Sequence, residues 1–154
     1  MKINYFNIAY AVKEHNSIID KVGGLAGVRD LGVLESPLDH IQNDDYYPLF
    51  EDKLTHLVFS IGMSHPFLDG NKRTSIVLGA FFLQINGYST TVISNFIETM
   101  EHLIIMCIDH VITKEQLNEY ITLIISDRPF SENLQLLYIN GMERILSDNQ
   151  NFID

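Results

Sequence analysis

The sequence predicts an all-α fold, a compact helical bundle, on three observations. Apolar residues recur at helical spacing along most of the chain, and no two alternating stretches flank a hairpin turn. One segment, Lys72 to Ile85, is apolar almost all round, as a helix at the centre of a bundle must be.

The elements follow in order. Ile8, Val12, His15 and Ile19 share one face of a first helix, which Lys21-Val22-Gly23-Gly24 ends. Gly23 to Glu35 holds four of the nine glycines without helical period and reads as a loop wrapping back over the body. Ser36-Pro37 supplies an N-cap and a first-position proline, which predicts a short helix from there. From Asp52, the residues Leu54, Leu57, Val58 and Ile61 make one stripe ending near Met63-Ser64. The central apolar helix stops at Asn86-Gly87. Ser94 is placed to cap the next helix, with Phe96, Met100, Leu103, Cys107 and Val111 as its stripe. Thr113 and Gln116 form a capping box before Leu117, Tyr120, Ile121, Ile124 and Ile125. Beyond Arg128-Pro129, Leu134, Tyr138 and Ile145 give a weaker last helix from Ser131, interrupted by Gly141. Tyr46 to Phe50 and Gly87 to Val92 are the two segments with extended character.

Composition bounds the function. At 154 residues, 46% hydrophobic and 19% charged, the chain fits one domain that folds without staples, 1–127, with residues 128–154 as a carboxy-terminal helical extension packed on it. Cys107 is the single cysteine, so no disulfide framework or thiolate zinc cluster is expected, and a reducing, cytoplasmic setting fits. The amino terminus shows no secretory apolar region, and the longest apolar run, Leu103 to Ile108, is far short of a bilayer, so no membrane association is expected. A formal charge of −10 argues against nucleic-acid binding, which needs a clustered basic surface. His15, His56, His102 and His110 show no metal-ligand spacing.

Chemistry concentrates in His65-Pro66-Phe67-Leu68-Asp69-Gly70-Asn71-Lys72-Arg73-Thr74, between an amphipathic helix and the buried one. The first N–H groups of a helix lack internal partners and point outward with the positive end of its dipole, so this turn is an anion site with phosphate as its natural guest. Gly70 lets a ligand approach the backbone, Asn71 can cap the helix or donate to a phosphate oxygen, and Lys72 and Arg73 add charge. Asp69 offers a hard carboxylate suited to magnesium shared with phosphate oxygens, and His65 can take a proton from an incoming hydroxyl. Base, metal carboxylate and phosphate cradle together describe phosphoryl or nucleotidyl transfer.

The run resembles the signature of the Fic/Doc (death-on-curing) family: a histidine, a phenylalanine two residues on, an acidic residue, then glycine, asparagine and arginine. Gly27 to Ser36 resembles the upstream segment of the death-on-curing branch, and Phe82-Leu83-Gln84-Ile85-Asn86-Gly87 the downstream one, so the resemblance covers roughly residues 4 to 126. It implies the Fic/Doc fold, helices around the motif helix, with ATP at its amino end. It implies His65 as base on a protein hydroxyl, Asp69 as holder of magnesium, Asn71 and Arg73 on the phosphates, and Phe67 anchored in the core. It also implies a toxin restrained by an antitoxin protein and acting on a protein substrate, a translation component being one such target.

The family's AMP-transferring members carry a second glycine between asparagine and arginine, and a further arginine three residues on; this chain has Lys72 and Ile76. A bulky cation there obstructs the AMP-transfer pose, and the death-on-curing branch shares the lysine, so transfer of the terminal phosphate is expected. The pair Asp69-Gly70 matches the other side, which keeps AMP transfer as the alternative, and a non-catalytic interaction protein with this fold as the second. Some members inhibit themselves through a serine or threonine with a glutamate four residues later; Ser131 with Gln135 is a poor match, and no such inhibition is expected. Asp44-Asp45-Tyr46-Tyr47 falls where the family places a target-docking flap, and Arg29-Asp30 reads as a structural loop pair.

Overall fold

The structure, a computed structural model, describes residues 2–151, with side chains placed to residue 148. Met1 and residues 152–154, the outer ends of the two expected segments, lie outside the described residues. Among the described residues seven helices follow one another: α1 (Ile8–Val22), α2 (Leu31–His40), α3 (Phe50–Ser64), α4 (Asn71–Ile85), α5 (Thr90–Ile108), α6 (Lys114–Ile125) and α7 (Glu132–Asn151). The class is all-α, as expected. Among the described residues the sole β feature is an isolated antiparallel bridge between Val28 and Phe67.

The antiparallel pair α3 and α4 forms the axis, with α1 and α5 on α4, α2 and α6 on α3, and α7 on α5. Leu54, Leu57, Val58 and Ile61 from α3 meet Leu78, Phe82 and Leu83 from α4, all fully buried. Close approach is built in at Gly79, where a Cβ would lie 2.7 Å from Val58 Cγ1 and 2.8 Å from Phe96 Cζ. The helix α4 is less uniformly buried than its sequence implies: Val77, Ala80, Phe81 and Ile85 are half-buried, and Phe81 stacks on Tyr10 of α1 at 4.1 Å.

Several boundaries depart from the sequence reading. The helix α2 begins at Leu31, not at Pro37, because the Asp30 side chain accepts from Val33 N–H and caps it six residues before Ser36; Pro37 then sits buried inside the helix. Similarly α5 begins at Thr90, capped by Ser89 on Val92 N–H, so Ser94 is an interior residue. It ends at Ile108, before Val111. Neither Tyr46 to Phe50 nor Gly87 to Val92 is extended; both are turns running into helices. Gly141 does not interrupt α7: it is a contact point, where a Cβ would meet Met106 Cε at 2.6 Å. The capping box of Thr113 and Gln116 forms as expected.

The extension α7 is bound through Tyr120 Oη, which donates to the Leu134 carbonyl at 2.6 Å, and through Tyr138 Oη and His102 Nδ1 at 3.0 Å. The helix α5 has the length and composition to cross a membrane, although Glu98 and Glu101 interrupt its apolar residues. Here it is a core helix, burying Phe96, Met100, Leu103, Ile104, Met106 and Cys107 against its neighbours. Burial pushes the Cys107 thiol up to about 12, so the sulfur fills space rather than reacting.

Candidate functional site

The motif loop spans the α3–α4 connection, and the His65, Pro66 and Asp69 carbonyls and the Leu68 N–H are held from outside it. His65 is the C-cap of α3 with left-handed dihedrals of φ 50°, ψ 59°, and it is solvent-exposed. Arg29 fixes it: Nε donates to the His65 carbonyl and Nη2 to the Ser64 carbonyl, each at 2.8 Å. These are charge-assisted bonds to the carbonyls that a helix end leaves without partners. The N–H groups of Arg29 and Asp30 both donate to the Pro66 carbonyl, and Leu68 N–H donates to the Gly27 carbonyl. Arg29 and Asp30 therefore do have structural roles, but separate ones, a brace and a helix cap, rather than an ion pair with each other.

Phe67 is 1% exposed and lies flat on His15 of α1, with ring centroids 3.8 Å apart. His15 is fully buried, and its Nε2 donates to the Asp69 carbonyl at 2.7 Å. Asn71, expected on phosphate or as a cap, closes a ring on the Phe67 backbone instead: Oδ1 accepts from Phe67 N–H at 2.9 Å and Nδ2 donates to its carbonyl at 3.0 Å. With the residue 7% exposed, what it offers a ligand is its own backbone N–H.

Gly70 is the N-cap of α4, at φ 76°, and has no side chain to cap with. The first N–H groups of the helix, those of Asn71, Lys72 and Arg73, consequently have no capping side chain, and the first intrahelical bond runs from Thr74 N–H to the Gly70 carbonyl. Lys72 and Arg73 are exposed beside them. The result is an uncapped helix amino end, an arrangement that can receive an anion.

Asp69 is exposed; Oδ1 accepts from Gly70 N–H at 2.9 Å and Oδ2 from Leu25 N–H at 3.2 Å. Each oxygen keeps a lone pair for a cation. Among the described residues no group of three or more His, Cys, Asp or Glu side chains gathers to hold a metal. The donor set is thus one hard carboxylate beside an anion cradle, which fits magnesium sharing phosphate oxygens and waters better than a metal held by protein alone.

All six residues singled out by sequence, His65, Asp69, Gly70, Asn71, Lys72 and Arg73, line one pocket of about 620 Å³. Its other wall is apolar, made of Leu68, Ile76, Val77, Ile97, Ile104 and Ile105, with the Glu101 carboxylate among them. Sequence reading missed His15, and its signal was visible: a polar residue in the apolar stripe of α1. The acidic stretch expected to form a flap is a turn in which Asp44 pairs with the buried Lys53 at 2.7 Å, Tyr47 stacks on His56, and Tyr46 is 77% exposed.

Comparison with known proteins identifies a family. Residues 5–83, half of the chain, match the family model described as Fic/DOC family. Toxin Doc of Mycolicibacterium smegmatis is 39% identical over 69 residues, covering 42% of this chain and 53% of that protein. Protein kinase doc of Escherichia phage P1 is 35% identical over 77 residues, covering 47% of this chain and 60% of that protein. The matched region therefore spans little more than half the length of either relative.

Proposed function

The chain belongs to the Fic/DOC family, and from that premise we propose that it is a Doc-like toxin, a cytoplasmic enzyme that uses magnesium-ATP to phosphorylate a hydroxyl of a target protein. The observation that carries the reading is the open amino end of α4, with Lys72 and Arg73 beside it, sharing one pocket with His65 and Asp69. The name of the phage relative, protein kinase doc, points the same way.

In this reading His65 accepts the proton of the target hydroxyl as its oxygen attacks the terminal phosphorus, and the bond from that phosphorus to the bridging oxygen breaks to release ADP. The N–H groups of Asn71, Lys72 and Arg73, with the two cationic side chains, hold the charge that gathers on the phosphate oxygens. Arg29, Asn71 and the Phe67 anchor keep the loop from having to reorganise as that charge develops. Asp69 would hold magnesium, which neutralises phosphate charge when bound. Residues 1–127 would form the catalytic unit, with 128–154 packed on it; an antitoxin protein and a translation component are the partners this assignment calls for.

The Asp69-Gly70 pair favours a second reading, AMP transfer, in which the hydroxyl attacks the α-phosphorus and pyrophosphate leaves. Intact-mass spectrometry of cell-extract proteins incubated with magnesium and ATP separates the two. The expected result is a phosphate-sized addition made by the natural chain and absent with His65→Ala. An adenylate-sized addition would install the second reading, and no addition to any protein would remove both.

A further inference from the structure

Buried beneath the motif, His15 shows a bonding pattern that packing alone does not account for. It is fully buried, its ring is parallel to Phe67 within 3°, and its Nδ1 has no hydrogen-bond partner among the described residues. A carbonyl only accepts, so the 2.7 Å contact with the Asp69 oxygen puts the hydrogen on Nε2. A buried histidine left with an unpartnered nitrogen costs stability that Phe or Leu in this apolar stripe would not.

What that contact fixes is a peptide plane. The 69–70 peptide is trans, so its C=O and N–H point in opposite directions. With the oxygen drawn inward to His15, Gly70 N–H is turned outward, where it now donates to Asp69 Oδ1 at the pocket. The left-handed Gly70, at φ 76°, belongs to this orientation; a flipped peptide would turn the N–H into the core and the carbonyl toward the incoming anion.

We propose that His15 is a positioning residue that, through the Asp69 carbonyl, holds Gly70 N–H facing the phosphate site as a fourth donor beside Asn71, Lys72 and Arg73. On binding, an anion takes this N–H over from Asp69 Oδ1, freeing that oxygen for a cation. The inference rests on the anion-site reading above, and its orienting step is visible without any ligand.

The test compares the natural chain with His15→Phe, which keeps the ring stack but has no donor, and His15→Gln, whose Nε2 can reach the same carbonyl. The Gly70 amide resonance is followed by ¹H–¹⁵N NMR without ligand, and magnesium-ATP affinity by calorimetry. In His15→Phe the Gly70 signal is expected to move or broaden and affinity to fall about tenfold, the worth of one ordinary hydrogen bond. In His15→Gln both are expected to return toward the natural values. An unmoved Gly70 signal in His15→Phe overturns the proposal, as does a His15→Gln form no better than Phe. If His15→Phe does not fold, the Gln form decides alone: a folded chain with a displaced Gly70 signal sinks the idea. Should the natural chain fail to bind magnesium-ATP, the functional reading falls while the NMR comparison still judges His15.

Discussion

At the residue scale, the motif is legible in the sequence as chemistry but not as mechanics. His65, Asp69, Gly70, Lys72 and Arg73 can be picked out because their side chains, or the lack of one, suit a task at a helix end. The groups that hold them are hidden because their work is done on backbone atoms: Arg29 on two carbonyls, Asn71 on both polar groups of Phe67, His15 on one carbonyl. No side-chain pattern announces a partner that is a peptide group. His56, by contrast, is surrounded by side chains, those of Tyr47, Ser60 and Lys114, and gives a pH prediction. Burial, then the nearby charges of Lys114 and His40, lower its pKa from 6.5 to about 4, and Lys114 Nζ lies 2.8 Å from Nδ1. The unfolded chain therefore binds this proton more readily than the folded one between those values. Stability should be intact above pH 6.5 and fall as pH drops toward 4. After discounting for solvent around a half-buried ring, the loss at pH 5 should be on the order of 1 kcal/mol, a few degrees of Tm. A melting series from pH 7 to 5 on the natural chain and His56→Gln checks this: the natural chain should lose the greater stability, and parallel curves would rule out His56 as the cause.

At the scale of the element, helix existence was legible throughout because amphipathic spacing is a property of each segment alone. Helix starts were less so, since two capping side chains can compete and the winner depends on where the chain arrives. Asp30 outranks Ser36 because the loop before it is already fixed to Pro66, which sets the entry of α2. Glycines within helices are ambiguous for the same reason. Gly79 and Gly141 look alike in sequence, yet the first faces the branched Val58 and the ring of Phe96, and the second faces the flexible end of Met106. Replacing either by alanine gains about 1 kcal/mol of helix propensity. At Gly79 the stiff, fully buried neighbours cannot yield, and overpacking of about 2–3 kcal/mol should outweigh that gain. Gly79→Ala should therefore lower Tm by about 3–6 °C, while Gly141→Ala should stay close to the natural chain. Thermal unfolding of the pair decides it: equal Tm values would mean that α3, α4 and α5 are not in the tight contact described.

For the whole molecule, the question is whether α7 is an appendage or part of one cooperative unit. The sequence reading expects an extension packed on the domain, yet its apolar pattern is weak, and Leu136, Ile139 and Leu146 remain exposed. The contacts favour integration. Leu134 is buried, its carbonyl takes the hydroxyl hydrogen of fully buried Tyr120, and Gly141 lets α7 come down onto Met106 of α5. Phe130 and Tyr138 pack against the Tyr120 ring, at 4.9 and 6.3 Å between centroids. Removing residues 128–154 would uncover Tyr120 and Met106 and leave the Tyr120 hydroxyl without its protein acceptor. Loss of the Leu134 side chain alone is worth about 2 kcal/mol of burial, and the aromatic contacts add to it. We expect the natural chain to unfold in urea as a single transition followed identically by circular dichroism and by tyrosine fluorescence. A chain ending at Asp127 should have a markedly lower midpoint, by at least the equivalent of about 3 kcal/mol, and a tendency to associate through the uncovered face. The helix α7 packs on α5, and α5 in turn supplies Ile97, Glu101, Ile104 and Ile105 to the wall of the pocket opposite the motif. Magnesium-ATP affinity of whatever fraction stays folded should consequently fall as well, because the α5 wall of the pocket loses its backing. Two separate transitions in the natural chain, or a truncated chain of equal stability, would show that the last helix folds as an independent piece.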